Sequence, residues 1–295
     1  MAVCLRGATA CVTVCFVLSA AYCVEKPVTV KVGDVEMAGF LAEPEGKKAE
    51  TAVVIMNDLG ALDADGTTGG IKPYRDIADG LAAKGIAVLR HQSYATAARG
   101  TGEATVQVVQ TDTAVASVAA VHRALGEDVK VFVLAHGAGV LGAAEVVEKA
   151  KNVAGIIVMG SPAQSYDRAV LAVWQQEGRD TTDLEKKFAV VREGKLPQQE
   201  TILGMGGAWW QSAIRSDYVE NLANVWAPLL VMAGKNDPYS TPDDVARWKE
   251  RIEFVGKRNC QVTEFTDLNH LMAGAGELKV APAVIDRIAS FINLH

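Results

Sequence analysis

Short apolar runs alternate with helical patterns along most of this chain, and that alternation constrains its fold more than any other feature. Residues 52–56, 86–89, 129–134, 156–159 and 229–232 are continuous apolar runs of strand length. Runs of this kind fit strands buried on both faces, as in a parallel sheet. Helical periodicity fills the gaps at 74–84, 105–125, 140–149, 243–253 and 282–292. Thr241-Pro242-Asp243-Asp244 is a strong helix start: Thr241 caps, Pro242 suits the first turn, and two acids face the positive end of the dipole. A hairpin is expected around Gly33-Asp34, between strands at 28–31 and 35–41. Strands alternating with helices predict an α/β fold with a doubly wound sheet.

Residues 161–225 break this rhythm. They hold helical stretches and no clear buried strand, with Trp174, Trp209, Trp210 and Trp226 in or at the edge of the segment. Two readings coexist: a helical insertion with its own small core, and a cap whose aromatics line a pocket.

The N-terminus reads as a leader. Arg6 is the one charge before an uncharged apolar stretch over 8–24, with small residues Ser19, Ala20 and Ala21 near its end. This predicts a signal peptide over 1–23 and a body over 24–295, exported to the periplasm or beyond. Acylation at Cys23 and an uncleaved membrane anchor are the alternatives, and they are the one expected route to a membrane. Four of the five cysteines lie in the first 23 residues and only Cys260 beyond them, so no disulfide framework is expected in the body. A net charge of −6 argues against a nucleic-acid partner.

Gly137-Ala138-Gly139-Val140-Leu141-Gly142 spells a dinucleotide-binding fingerprint. The following strand ends Val158-Met159-Gly160-Ser161, without the acid that would hold a ribose. A strand–turn–helix that carries a nucleophile explains the same residues better, with Ala135-His136-Gly137-Ala138-Gly139 as the small-x-nucleophile-x-small turn. An acid and a histidine follow in the required order. Asp237 stands in Gly234-Lys235-Asn236-Asp237, and His270 in Leu268-Asn269-His270.

With these residues in place, the chain resembles exported bacterial α/β-hydrolases of the esterase and dienelactone-hydrolase-like type. The resemblance runs from about residue 28 to the C-terminus. It is most specific at Lys72-Pro73-Tyr74-Arg75-Asp76, 85–90, 228–237, 241–249 and 268–272. It implies an α/β-hydrolase fold with a mostly parallel sheet of about eight strands, an inserted helical cap, a Ser-His-Asp triad and no cofactor. Three positions depart from that pattern. Gly137 stands where the nucleophile should be. Asn57-Asp58-Leu59-Gly60 replaces the His-Gly that usually opens the oxyanion loop. His91 follows Arg90 where an Asp is common.

Asp237 and His270 are therefore the retained acid/histidine pair, and Gly137 is a degenerate nucleophile position whose glycine suits the strained elbow backbone. The backbone N–H groups of Leu59 and Ala138 are the expected oxyanion donors. Three functions stay open: a non-catalytic protein binding a small ester-like or apolar ligand, a residual hydrolase in which His270 activates a water lodged in the empty nucleophile position, and a structural or protein-binding module. Ser93 and Ser161 are unsupported substitute nucleophiles, Cys260 reads as a packing residue, and His136 should point away from substrate. The histidines show no metal-ligand spacing, so no metal is expected.

Overall fold

A computed structural model describes residues 23–197 and 199–295. The leader expected over 1–23 lies outside the described residues except for Cys23, which opens the first strand opposite Pro44. The elements run β1 (Cys23–Val32), β2 (Val35–Pro44), β3 (Thr51–Met56), α1 (Pro73–Ala82), β4 (Ala87–His91), α2 (Tyr94–Ala97), α3 (Thr113–Leu125), β5 (Lys130–His136), α4 (Val140–Lys149) and β6 (Val153–Met159). They continue as α5 (Tyr166–Gln176), α6 (Thr182–Arg192), β7 (Thr201–Ile202), β8 (Met205–Gly206), α7 (Gly207–Arg215), α8 (Tyr218–Asn224), β9 (Leu229–Gly234), α9 (Pro242–Phe254), β10 (Cys260–Phe265) and α10 (Pro282–Leu294).

Eight strands form one sheet in the order β1-β2-β4-β3-β5-β6-β9-β10. β2 pairs antiparallel with both of its neighbours, and every other pairing in the sheet is parallel. The apolar runs are two-faced, as their composition requires. Val53, Ile55, Phe132 and Leu134 face α1 and α10, while Val54, Met56, Val131 and Val133 face the layer that contains α3, α4, α8 and α9. Burying one such side chain is worth ~1.5–3 kcal/mol, so continuous runs at the sheet centre give a strong register. Among the described residues no helix is long and apolar enough to cross a membrane.

The helix expected over 105–125 is instead two pieces. A wide π turn spans Gln107–Asp112 before α3 begins. Thr111 at this turn approaches α4 closely enough that a Cβ on Gly142 would lie 2.6 Å from Thr111 Oγ1. The glycines of the false dinucleotide fingerprint thus serve packing. Gly139 meets β3 in the same way, with a Cβ there 2.8 Å from the Met56 carbonyl oxygen.

Between β6 and β9 the chain builds α5–α8 and the small β7–β8 hairpin. Trp209 and Trp210 are fully buried, and their rings cross edge to face at 5.0 Å, with Phe188 against Trp210 at 4.9 Å. Trp226 is 67% exposed, and Trp174 lies under the Arg179 guanidinium. Two of the four tryptophans are thus buried, and they belong to the same core as the α3–α4 face of the sheet rather than to a separate one.

The root of this insertion is tied down. Asp244 in α9 is fully buried and accepts hydrogen bonds from the Ala163 N–H at 2.9 Å and the Thr241 N–H at 3.0 Å. It also accepts the Thr241 hydroxyl at 2.6 Å, which completes the expected cap of α9. Replacing Asp244 by Ala removes the reciprocal cap and strands a buried N–H. The expected cost is ~2–4 kcal/mol, read from urea unfolding as a lower midpoint at unchanged slope.

Candidate active site

The site lies at the carboxyl edge of the sheet, where loops after β3, β5, β6, β9 and β10 converge. At the end of β5 the chain turns sharply through Gly137 at φ +48° into α4. This left-handed backbone disfavours residues with a Cβ, and glycine adopts it at low cost. After β9, Asp237 is fixed by the turn that follows, its Oδ1 accepting the Tyr239 N–H at 2.8 Å. After β10, His270 Nδ1 lies 3.0 Å from Asp237 Oδ2 and 3.1 Å from Oδ1. The acid and histidine identified in the sequence therefore meet, across the tight backbone of Gly160, where a Cβ would stand 3.0 Å from Asp237 Oδ2.

The space opposite Gly137 is filled. The loop after β3 turns Asp58 into it, and a Cβ on Gly137 would fall 1.9 Å from Asp58 Oδ1. That oxygen accepts the Ala138 N–H at 2.7 Å and the Tyr166 hydroxyl at 3.3 Å. Oδ2 accepts from His270 Nε2 at 2.9 Å. The elbow expected to leave room for a water instead faces a carboxylate, and the Ala138 N–H is engaged by that carboxylate rather than free. Leu59, the other expected oxyanion residue, lines the adjoining cavity.

Asp58, His270 and Asp237 thus form one hydrogen-bonded row. Burial disfavours the His270 imidazolium, but the carboxylates of Asp237 and Asp58 outweigh it and hold His270 well above the ordinary histidine range. Burial likewise opposes the Asp58 charge, and the His270 hydrogen bond and charge with the Ala138 N–H overcome it, so Asp58 sits below the usual carboxylate range. At neutral pH the row is carboxylate–imidazolium–carboxylate.

A second chain of bonds fixes the two loops that meet here. The Asp58 N–H donates to the Tyr74 hydroxyl at 3.0 Å, and that hydroxyl lies 3.1 Å from His136 Nδ1. His136 Nε2 lies 3.1 Å from the His270 carbonyl oxygen. A carbonyl can only accept, so Nε2 carries the proton and Nδ1 accepts from Tyr74. Burial and the neighbouring His270 charge lower His136 to about 4, which fits this neutral form. His136 is buried beside His270, outside the lining of the cavity, and joins the histidine loop to the loop of Asp58 through α1.

Asp58, His136 and His270 also place potential ligand atoms within 4.8 Å of one another. Every nitrogen of both histidines is already in a hydrogen bond, so this cluster has the chemistry of a proton network. The unsupported nucleophile candidates have structural duties. Ser161 donates to the Gly137 carbonyl oxygen at 2.8 Å. Ser93 caps α2 and donates to the Gly60 carbonyl oxygen at 2.9 Å. Cys260 is half-buried at the opposite end of β10, its thiol pushed up to about 11 chiefly by burial. His91 is buried and pairs with the Gln92 carbonyl oxygen at 2.8 Å.

A cavity of about 210 Å³ opens beside the row, lined by Asp58, Leu59, Tyr166, Leu203, Tyr239 and His270. Asp58 and His270 keep 18% and 15% side-chain exposure, whereas Asp237 has none, so the first two can meet a ligand and the third cannot. The aromatics at the cavity are tyrosines rather than the tryptophans. Burial, then the Asp58 charge, raise both: Tyr239 is pushed up to about 12 and Tyr166 well above its ordinary value, so both present neutral hydroxyls. Asp58 was visible in the sequence only as a departure from the family loop. Tyr166 and Tyr239 carried no signal there.

No protein-family model matches the chain. It is 28% identical over 288 residues to esterase EstD of Thermotoga maritima, spanning 91% of this chain and 67% of that protein. Its structure is similar to the Pf2001 esterase of Pyrococcus furiosus, with a TM-score of 0.60 at 15% identity, covering 92% of this chain and 91% of that one. It is similar to a thermostable carboxyl esterase of Bacillus coagulans, with a TM-score of 0.62 at 14% identity, covering 92% and 98%. A proline iminopeptidase of Mycobacterium smegmatis shares the architecture as well, with a TM-score of 0.58 at 18% identity and the same 92% and 98% coverage. The fold is that of the α/β-hydrolases.

Asp58→Asn keeps the side-chain shape and removes one of the two charges holding the His270 proton. Its titration midpoint, followed by NMR of the imidazole carbons, is expected above the ordinary value of about 6.5 in the wild type. In Asp58→Asn it should fall toward that value.

Proposed function

We propose that this chain is an exported α/β-hydrolase-fold protein with an ester-hydrolase-like cleft, in which the acyl-serine route is closed and the cleft binds a small uncharged ligand. One observation carries the reading: the Asp58 carboxylate occupies the place of the missing nucleophile and takes up both groups that would serve it, the Ala138 N–H and His270 Nε2. The kinship with EstD supports the ester-hydrolase character of the cleft. Export rests on the leader sequence alone.

Serine chemistry needs a hydroxyl, a histidine able to take its proton, and a free oxyanion donor. Here the hydroxyl is missing, His270 already carries a proton, and one of the two expected donors, the Ala138 N–H, is engaged. Loss of a serine nucleophile alone costs about 10⁶ in turnover. Activation of water at the elbow by His270 is disfavoured for the same reasons, because its Nε2 is protonated and the water's place is filled. The cavity against Asp58 and His270 favours a ligand-binding role over a purely structural one.

Paired labelling with a fluorophosphonate probe tests the reading. Wild type should remain unlabelled. Gly137→Ser alone should also remain unlabelled and lose ~1–3 kcal/mol of stability, because the new side chain meets Asp58 in a left-handed backbone. The double variant Gly137→Ser/Asp58→Gly clears the space, releases the Ala138 N–H and should label. Labelling of wild type, abolished in His270→Ala, would overturn the proposal.

A further inference from the structure

Two of the positions that depart from the family pattern, Asn57 and His91, meet next to Asp58. With Ser93, Gln110 and Met205 they line a small second cavity, which shares only Asp58 with the cleft. Its volume is about 10 Å³, counted as the space open to the centre of a water. One water needs about 10–15 Å³ by that measure, so the cavity has room for one and no more.

Three elements each bring to this cavity a polar group that the protein leaves unmatched. After β3, Asn57 is 6% exposed, and its Nδ2 donates to the His91 carbonyl oxygen at 3.3 Å. That contact fixes the orientation of the amide, since a carbonyl can only accept. Asn57 Oδ1 is then buried without a partner. At the end of β4, His91 Nδ1 lies 2.8 Å from the Gln92 carbonyl oxygen, so Nδ1 carries the proton. The alternative, in which Nδ1 accepts from Asn57 Nδ2 at 3.4 Å, would set two lone pairs against each other at 2.8 Å. Burial lowers His91 below its ordinary value and keeps the ring neutral. Nε2 is therefore a bare acceptor, and it has no partner among the described residues. In the π turn, Gln110 is 4% exposed, and its side-chain amide likewise has no partner among the described residues. Ser93 adds no such group, because its hydroxyl already serves the Gly60 carbonyl oxygen and the Leu62 N–H. Asn57 Oδ1 and His91 Nε2 cannot satisfy one another, since both accept. A water donates twice and accepts from Gln110 Nε2, so it satisfies all three groups at once.

We propose that this cavity binds a single water between Asn57, His91 and Gln110, and that Asn57 acts through it as a positioning residue for Asp58. The site goes beyond the function proposed above and does not depend on what the cleft binds. One planar peptide unit joins Asn57 to Asp58, so a restraint on the first residue limits the backbone from which the second reaches His270. The water ties that backbone to β4 and to the π turn together. The π turn gains a role as well. It supplies the donor, and wide turns of this kind recur at functional sites. The departures from the family pattern thus fall into two matched sets: Gly137 with Asp58 on the cleft side, and Asn57 with His91 at the water.

The test joins a crystal structure of the full chain, at a resolution that shows ordered waters, to ¹⁵N imidazole shifts of His91 and to the variant Gln110→Met. That substitution keeps the side-chain length and removes the donor. One water peak is expected within hydrogen-bond reach of Asn57 Oδ1, His91 Nε2 and Gln110 Nε2. His91 should show a protonated Nδ1 and an unprotonated Nε2. In Gln110→Met the His270 titration midpoint should fall by about half a pH unit or more, as Asp58 loosens its hold on His270 Nε2. A cavity without a water peak, or a proton on His91 Nε2, would overturn the site. An unmoved His270 midpoint in a folded Gln110→Met would overturn the positioning role. The first two readouts are taken on wild type, so they decide the site even if the variant fails to fold. Fluorophosphonate labelling of wild type bears on the serine route alone, which keeps the two failures apart.

Discussion

Everything in this site follows from one contact, the Asp58 carboxylate against His270 across the gap left by Gly137. Either change alone would be costly. A carboxylate in that loop would collide with a side chain at the elbow, and a bare glycine at the elbow would leave the histidine and the Ala138 N–H facing a void. Together they fit: the side chain that fills this space comes from the loop after β3 instead of the β5 elbow, and the histidine keeps a partner. The cost of burying two carboxylates is offset by the single imidazolium between them and by donors on each side, which is the condition for buried charge to be tolerated.

Moving the side chain changes its chemistry. A serine hydroxyl is inert until its proton is removed, so the histidine must be neutral to be useful. A carboxylate is ionised from the start and favours the charged form of its partner histidine. His270 accordingly rests as an imidazolium, with Asp237 on one nitrogen and Asp58 on the other. The neutral His136 behind them keeps a further charge out of the site while its two nitrogens fix the loops in place.

Most of the fold was legible in the sequence because buried parallel strands leave continuous apolar runs, and each run corresponds to a central strand. The boundaries were less so. The π turn at Gln107–Asp112 packs closely against Gly142, a contact between helices that periodicity along one helix does not encode. Asp237 and His270 were legible because their order and their places after strands are fixed by the elbow template. In the sequence Asp58 is a departure in the oxyanion loop and Gly137 a separate departure at the elbow. Only their superposition in space shows that one compensates the other. The cavity tyrosines lay further from reach. Tyr166 opens a helix of the insertion and Tyr239 follows Asp237 in a turn, and neither position belongs to a motif.

The buried Asp244 has a mechanical consequence. It grips the backbone at Ala163, and Tyr218 shares its hydroxyl between the Pro162 and Gln164 carbonyl oxygens at 2.9 and 2.7 Å. Three consecutive residues at the root of the insertion are thus stitched to α8 and α9, which leaves no free joint there about which the whole layer could swing. Adjustment of the cleft to its occupant falls instead to the short β7–β8 turn, where Leu203 stands 37% exposed in a left-handed conformation and forms part of the cavity wall. The one side of the cleft not tied to that fixed root is this two-residue turn.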